Sequence, residues 1–153
     1  MDIGTLIGTG LGAVVGVGST LMADRVRWKR DRAARREDLK RELYGEYLAA
    51  LTRTRNQLKD LVKARNFTPD ERAHQAGELY REGGAYELRY QMSITAPEQV
   101  VKRSDDALRK LRDVRDRLQE QVTDSELDTE FTRLIKSVKS LRDAMRADLG
   151  ADS

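Results

Sequence analysis

The sequence predicts an all-α protein in which an N-terminal transmembrane helix continues into an antiparallel four-helix bundle, with a helical hairpin domain as the alternative. Three observations favour this fold class. The chain has 153 residues, of which 36% are charged and only two are prolines, a composition typical of long helices. Residues 3–22 carry no charge. Beyond residue 40, apolar residues recur at steps of three and four, which is the period of a helix.

The uncharged segment is long enough to cross a membrane. As a helix, a segment of this length spans about 30 Å, the thickness of a bilayer core. Half of its residues are Ile, Leu, Val, Met or Ala, and the others are Gly, Thr and Ser, which membrane helices tolerate better than soluble helices do. We therefore expect residues 1–23 to form a single-pass transmembrane anchor in the cell membrane.

Four other interpretations of this segment fit less well. A secretory signal peptide has its positive charge before the apolar run, whereas here the charge follows it. The G-x-G-x-x-A pattern at Gly8, Gly10 and Ala13 lacks the preceding strand of a dinucleotide-binding site. A disordered glycine-rich tail would contain fewer Ile, Leu and Val residues, and an interfacial helix would have charge on one face.

Small residues recur every four positions along the predicted anchor. Residues four apart lie on nearly one helix face, so they form a flat stripe at which two helix backbones can approach closely in lipid. This glycine stripe consists of Gly4, Gly8, Gly12, Gly16 and Thr20. We expect it to be a helix-packing face through which the chain forms a homo-oligomer.

A basic segment, residues 25–36, follows the anchor within the predicted stalk, residues 24–38. Its seven basic residues and Asp31 give a net charge of +6, so the rest of the chain is slightly acidic. The positive-inside rule places this end in the cytoplasm and the N-terminus outside. We expect the segment to meet anionic lipid headgroups, with an ordinary packed tryptophan as the alternative for Trp28. The expected membrane-interface residues are Arg25, Arg27, Trp28, Lys29, Arg30, Arg32, Arg35 and Arg36.

Four helical segments are predicted within residues 39–150, before a short tail, residues 151–153. The first extends the stalk without a proline to about Arg65, with apolar residues from Leu43 to Val62. Thr68–Glu71 has the sequence of a capping box with proline in the first turn, and it starts a second helix that runs to about Thr95. Gly83 and Gly84 lie inside this helix, and we expect a kink or a close helix crossing there.

The third and fourth helices are separated by clear start and stop signals. Ala96–Pro97 ends the second helix, and an apolar stripe then runs from Val100 to Val122. Thr123–Ser125 starts the fourth helix, whose stripe includes Leu134 and Ile135 and which Gly150 ends. Similar lengths and short turns predict an up-down bundle.

No residue pattern predicts catalysis, a cofactor or a metal site. The chain has no cysteine, which excludes disulfides and thiolate chemistry. Glu71 and His74 form one Glu-x-x-His, but a di-iron bundle needs this motif twice, and His74 is the only histidine. Acidic residues such as Asp105 and Asp113 alternate with Arg and Lys at helical spacing, which indicates a solvated, ion-paired face. We therefore expect a protein that is not an enzyme.

Three stretches resemble actinobacterial membrane proteins of uncharacterised function. They are GTGLGAVVGVGSTLMADRVRWKRDR, LYGEYLAAL and LRYQMSITAPEQVV, and together they cover about a third of the chain. In such proteins a Gly-rich anchor and a basic stretch precede a small helical domain. The resemblance implies the same architecture and, since none of the stretches is a catalytic signature, implies no activity.

These features favour a membrane-anchored interaction or scaffold protein that presents its bundle to a cytoplasmic protein partner. The first alternative is a small pore-forming protein, holin- or toxin-like, in which the glycine stripe assembles a ring. The second is a nucleic-acid binder that uses the basic segment as an arm. Nucleic acid is the weaker expectation, because the membrane topology explains that segment and acids offset the basic residues of the third helix.

Overall fold

A computed structural model describes the backbone of residues 3–150 and the side chains of residues 27–150. Over these residues the chain is all-helical and contains no strand, which confirms the predicted class. The helices are α1 (Ile3–Lys63), α2 (Pro69–Glu82), α3 (Ala85–Thr95), α4 (Glu98–Gln119) and α5 (Asp124–Asp148). The chain divides into two compact units, Met1–Leu39 and Lys40–Ser153.

The predicted anchor and its glycine stripe lie outside the residues whose side chains are described. The backbone is helical from Ile3 onward, within α1. Within the part of the chain whose side chains are described, no helix is both long enough and apolar enough to span a bilayer. The transmembrane anchor over residues 1–23 therefore stays a prediction.

From Lys40 to Lys63, α1 buries the side that its apolar spacing predicts. The residues buried there at steps of three and four are Leu43, Tyr44, Tyr47, Leu51, Leu58 and Leu61. Thr54 fills the gap in this series and is fully buried. Its hydroxyl donates to the carbonyl of Ala50 at 3.0 Å, so the buried polar group is satisfied within the helix. The helix ends at Lys63, close to the predicted end at Arg65.

Contacts between distant residues show how the helices of the second unit run. The Tyr44 hydroxyl lies near the start of this unit and donates at 2.6 Å to Asp148, in the last turn of α5. Gln119, at the end of α4, donates at 3.4 Å to the carbonyl of Ala73, near the start of α2. Because short turns join the successive helices, these contacts give an up-down-up-down bundle, with α2 and α3 together in the second position.

The second predicted helix is in fact two helices, α2 and α3, so its prediction as one helix to Thr95 is wrong. The break lies at Gly83 and Gly84, where a kink or a close crossing was expected. Gly84 has a φ of 75°, in the left-handed region that favours glycine. A Cβ added to Gly83 would overlap the hydroxyl of Thr54 on α1. The pair therefore provides a break between α2 and α3 at one residue and a close helix crossing at the other.

The helix ends follow the signals in the sequence. Thr68 caps α2, since its side-chain oxygen accepts from the Glu71 N–H at 3.3 Å while the Glu71 carboxylate accepts from the Thr68 N–H at 2.8 Å. At the start of α5, the Thr123 N–H donates to Glu126 at 3.1 Å. Gly150, with a φ of 67°, follows α5 as predicted.

The core of the bundle is filled mainly by aliphatic residues of α1, α4 and α5. From α4 and α5 the buried apolar residues are Val100, Ala107, Leu108, Leu111, Val114, Leu118, Leu127, Phe131, Leu134, Leu141 and Met145. Ile135 was predicted to share the stripe of Leu134, but it is 47% exposed. One residue step rotates a side chain by about 100° around a helix, so Ile135 lies beside the buried face of α5.

Candidate functional site

The basic segment is exposed throughout the part whose side chains are described. Every residue from Arg27 to Leu39 is exposed. Its described charges are Arg27, Lys29, Arg30, Arg32, Arg35 and Arg36 against the acid Asp31, and the acids Glu37 and Asp38 follow the segment. Arg25 lies outside the described side chains. The segment therefore presents a net positive, solvated helix.

Trp28 lies on the surface of the basic segment. Its side chain is 58% exposed, and its place at a membrane interface stays a prediction. The guanidinium carbon of Arg32, four residues later, lies 3.7 Å from the centre of the Trp28 ring, which is a cation–π contact. An aromatic ring with an apolar body next to arginine is a typical pair at a membrane interface, though it equally suits a nucleic-acid arm.

A second surface, which the sequence analysis missed, is the outer face of α3, defined by Tyr86, Tyr90 and Ile94. These side chains follow one another at four-residue steps and are 40%, 54% and 86% exposed. The two tyrosine rings meet edge to face, with centroids 5.4 Å apart, and their hydroxyls are hydrogen-bonded at 2.8 Å. This hydrogen bond raises the pKa of Tyr90. A signal was present in the sequence, because the run Tyr90–Pro97 contains no charge in a highly charged chain.

The acidic residues singled out in the sequence form ion pairs, as expected. Within α4 the carboxylates of Asp106 and Asp113 contact Arg109 at 2.5 Å and Lys110 at 3.0 Å. Asp105 of α4 contacts Arg89 of α3 at 2.5 Å. Because these pairs lie largely at the surface, each contributes little to stability, and α4 presents a mixed rather than a basic face.

Glu71 and His74 do not come together as a metal site. Glu71 is engaged in the capping box of α2, and its hydrogen bonds with Thr68 lower its pKa. The His74 side chain is 76% exposed, and its Nε2 lies 3.9 Å from Glu78. Among the residues with described side chains, no group of three or more His, Asp or Glu residues is placed to hold a metal ion.

Two buried tyrosines fasten α1 to the other helices. The Tyr47 hydroxyl donates to the carbonyl of Ser104 at 3.0 Å, and burial raises the pKa of Tyr47 far above its usual range. Burial likewise raises the pKa of Tyr44, and the Asp148 carboxylate that accepts its hydrogen bond also contacts Lys40 at 3.0 Å. Both tyrosines are held as neutral hydrogen-bond donors, which suits a structural role.

A cavity of about 210 Å³ lies at the end of the bundle where α1 and α4 finish. Arg72 and Arg117 line it together with Asp124 and apolar side chains such as Val62 and Leu127. Its lining contains no Ser, Thr, Cys, Lys or His. The cavity thus combines opposite charges with an apolar wall and has no nucleophile of its own among the described residues.

Comparison with known proteins gives no relative for this chain: no family model, no curated protein and no solved structure matches it. Function is therefore inferred from two surfaces, the basic segment and the outer face of α3. Neither is a cleft with converging polar groups, and both are exposed helix faces suited to contacts with a large partner.

Proposed function

We propose that the chain is a membrane-anchored, non-enzymatic helical interaction protein. Residues 1–23 cross the cell membrane once with the N-terminus outside, and the bundle lies in the cytoplasm. The observation that carries this proposal is the junction in α1, where a segment free of charge is followed within a few residues by a basic segment that is exposed from Arg27 onward. Hydrocarbon suits the first segment and the headgroup region suits the second.

The charge of the basic segment supports the proposed contact with lipid. Each Lys or Arg near an anionic membrane surface contributes about 1 kcal/mol, so a net charge of this size adds several kcal/mol to membrane binding. Trp28 is exposed and is free to enter the interface, with Arg32 on its ring. The positive charge also fixes the orientation, since basic flanks stay on the cytoplasmic side.

The glycine stripe, Gly4 to Gly16 with Thr20, supports self-association within the membrane. Because glycine has no side chain beyond Cα, two helices can approach closely along this stripe, and dispersion and Cα–H···O contacts then favour pairing in lipid. The proposed task of the protein is to hold several bundles together at the inner leaflet, where a cytoplasmic protein can dock on them.

Membrane extraction and cysteine labelling test the anchor and its orientation. The chain has no cysteine, so single cysteines at Asp2 and Ser153 give clean sites for a maleimide that cannot cross membranes. We expect the chain to stay in the membrane pellet at alkaline carbonate, the Asp2→Cys variant to react on intact cells, and the Ser153→Cys variant to react only after lysis. A chain recovered in the supernatant without detergent contradicts the proposal.

Paired substitutions test the glycine stripe. The Gly8→Leu, Gly12→Leu variant is expected to lose self-association in a membrane two-hybrid assay while still inserting. The matched control is Gly10→Leu, Gly18→Leu, which changes two glycines on another face of the helix. Equal signals from the two variants contradict a role for the stripe. Depolarisation of the membrane on expression, followed with a voltage-sensitive dye, would instead support the pore.

The exposed basic segment also favours a second candidate, binding of nucleic acid. Such binding depends on release of counterions, so it weakens steeply with salt. A chain that leaves the pellet in high salt, together with DNA or RNA, supports this second candidate. A chain that leaves only with detergent supports the anchor.

A further inference from the structure

The cavity at the end of the bundle plays no part in the proposed function. Its volume is about 210 Å³, and an apolar cavity of about 150 Å³ already holds a benzene molecule. The exposed residues of its lining form the mouth, and they are Pro69, Arg117, Gln121 and Asp124. The buried and half-buried ones form the inner wall, and they are Val62, Arg72, Leu118, Val122 and Leu127. The cavity therefore has room for a small organic molecule that enters from solvent.

Arg72 is the one charged residue of this inner wall. Its Nη2 donates at 3.1 Å to the carbonyl of Ala64, which holds the guanidinium in place. Its Nε is buried and has no hydrogen-bond partner among the described residues. Within the described part of the chain, Arg72 also forms no ion pair with a carboxylate. A half-buried positive charge without a counter-charge is unfavourable, so an anion in the cavity would be stabilised beside it.

The charges that line the cavity favour a ligand with a single negative charge. Two arginines, Arg72 and Arg117, and one acid, Asp124, leave the lining with a net charge of +1. Arg117 is already paired through Nη1 with Glu120 at 3.0 Å, outside the cavity. A carboxylate matches the planar fork of the Arg72 guanidinium and brings one charge. A dianion such as phosphate would leave excess negative charge next to Asp124.

The rest of the inner wall is aliphatic. Leu118 and Leu127 are almost fully buried, and Val62 and Val122 are half-buried. An inorganic anion would leave these four side chains facing water, whereas a ring or a branched chain would cover them. Predominantly apolar walls with a few placed polar groups are typical of sites for small organic ligands.

The wall of the cavity is fixed by hydrogen bonds between the turns that surround it. Gln121, which follows α4, has a φ of 56°, and its side-chain amide donates at 3.2 Å to Asp70 in the first turn of α2. The bond from Arg72 to Ala64 ties α2 to the turn after α1 in the same way. A wall that is ordered in advance loses less entropy when a ligand binds.

We infer that this cavity binds a small organic monocarboxylate with an apolar body, about the size of benzoate. The carboxylate pairs with Arg72, and the apolar body packs on the aliphatic wall. All the residues involved lie in the unit Lys40–Ser153, so the site adds a ligand to the proposed interaction protein and does not depend on the membrane anchor.

Titration calorimetry of the full chain in detergent, with benzoate as the probe, tests the inference. We expect a Kd of about 0.1–1 mM, as is usual for so small a ligand. Benzamide has nearly the same shape without the charge, and it should bind at least about tenfold more weakly. Inorganic phosphate, which lacks the apolar body, should also bind more weakly. No binding of benzoate, or equally tight binding of benzamide or phosphate, overturns the inference.

Substitutions locate the binding within the cavity. Arg72→Gln should weaken benzoate binding at least about tenfold and abolish the preference for benzoate over benzamide. Arg81→Gln is the matched control, because Arg81 lies on the same helix, outside the cavity lining, with a side chain that is 67% exposed. It should bind benzoate like the wild type. Equal affinities of these two variants overturn the inference.

A cavity-filling substitution keeps the test decisive if Arg72→Gln does not fold. Val62→Phe retains Arg72 and places a ring in the space that the ligand would take, so it should abolish benzoate binding while circular dichroism still shows a folded chain. Unchanged binding in this variant overturns the inference.

The result for the cavity is distinguishable from the result for the anchor. A chain that is found in the supernatant and binds benzoate supports the cavity and refutes the anchor. A chain that stays in the membrane and does not bind benzoate refutes the cavity alone.

Discussion

Replacing Gly83 by alanine tests the close crossing that shapes the bundle. The added Cβ would overlap the Thr54 hydroxyl and lie 3.1 Å from both the Thr54 Cβ and the Leu79 carbonyl oxygen. Thr54 is fully buried on α1, so it cannot move away easily. Overpacking of this kind costs about 3 kcal/mol. The backbone of Gly83 is helical, and alanine regains about 1 kcal/mol there. We expect a net loss of about 2 kcal/mol.

The measurement is urea unfolding of the full chain, followed by circular dichroism at the helical band. Gly45→Ala is the matched control, because nothing lies within 4 Å of a Cβ added there, and it should stabilise the chain by about 1 kcal/mol. The double variant Thr54→Ala, Gly83→Ala should recover part of the loss, since it removes the overlapping hydroxyl. If Gly83→Ala is as stable as Gly45→Ala, the crossing is not as close as described.

Two further predictions concern buried or partly buried hydrogen bonds. Tyr47→Phe loses the bond to the Ser104 carbonyl and should lower the free energy of unfolding by about 1 kcal/mol at neutral pH. Because the pKa of Tyr47 is raised in the folded chain, the stabilising contribution of its hydroxyl is lost as the pH rises past the ordinary tyrosine pKa of about 10. Urea unfolding above that pH should therefore show a smaller difference in the free energy of unfolding between wild type and Tyr47→Phe. Ser137 donates to Asp106 at 2.6 Å and, with Arg109, holds the pKa of Asp106 below its usual range. The stabilising contribution of the Asp106 carboxylate is present at neutral pH and is lost in acid, as the carboxylate becomes protonated. Asp106→Asn should therefore destabilise the chain at pH 7 but much less near pH 3, about one unit below the ordinary pKa of Asp. A loss of stability that is the same at both pH values would contradict this assignment.

The sequence predicted the helices well wherever one strong local signal determines which residues are buried or where a helix begins and ends. Steps of three and four residues correctly assigned Tyr47, Leu51 and Leu58 to the core. Side chains that can cap marked the start of α2 at Thr68, and glycine marked the end of α5 at Gly150. Each of these signals depends on residues within one or two helical turns, and local sequence is sufficient to read them.

What the sequence did not predict depends on distant residues. Two glycines in a row suggest a kink, but only the crossing with Thr54 shows why Gly83 must lack a side chain. The exposure of Tyr86 and Tyr90 follows from the direction that α3 takes after Gly84, which helical periodicity does not contain.

The hydrogen bond between Tyr44 and Asp148 joins residues 104 positions apart in the chain. During translation, α1 leaves the ribosome long before α5 exists, so the part of α1 that packs on α5 stays open until that last helix has been made. A chaperone that holds apolar helices in the meantime would act on α1.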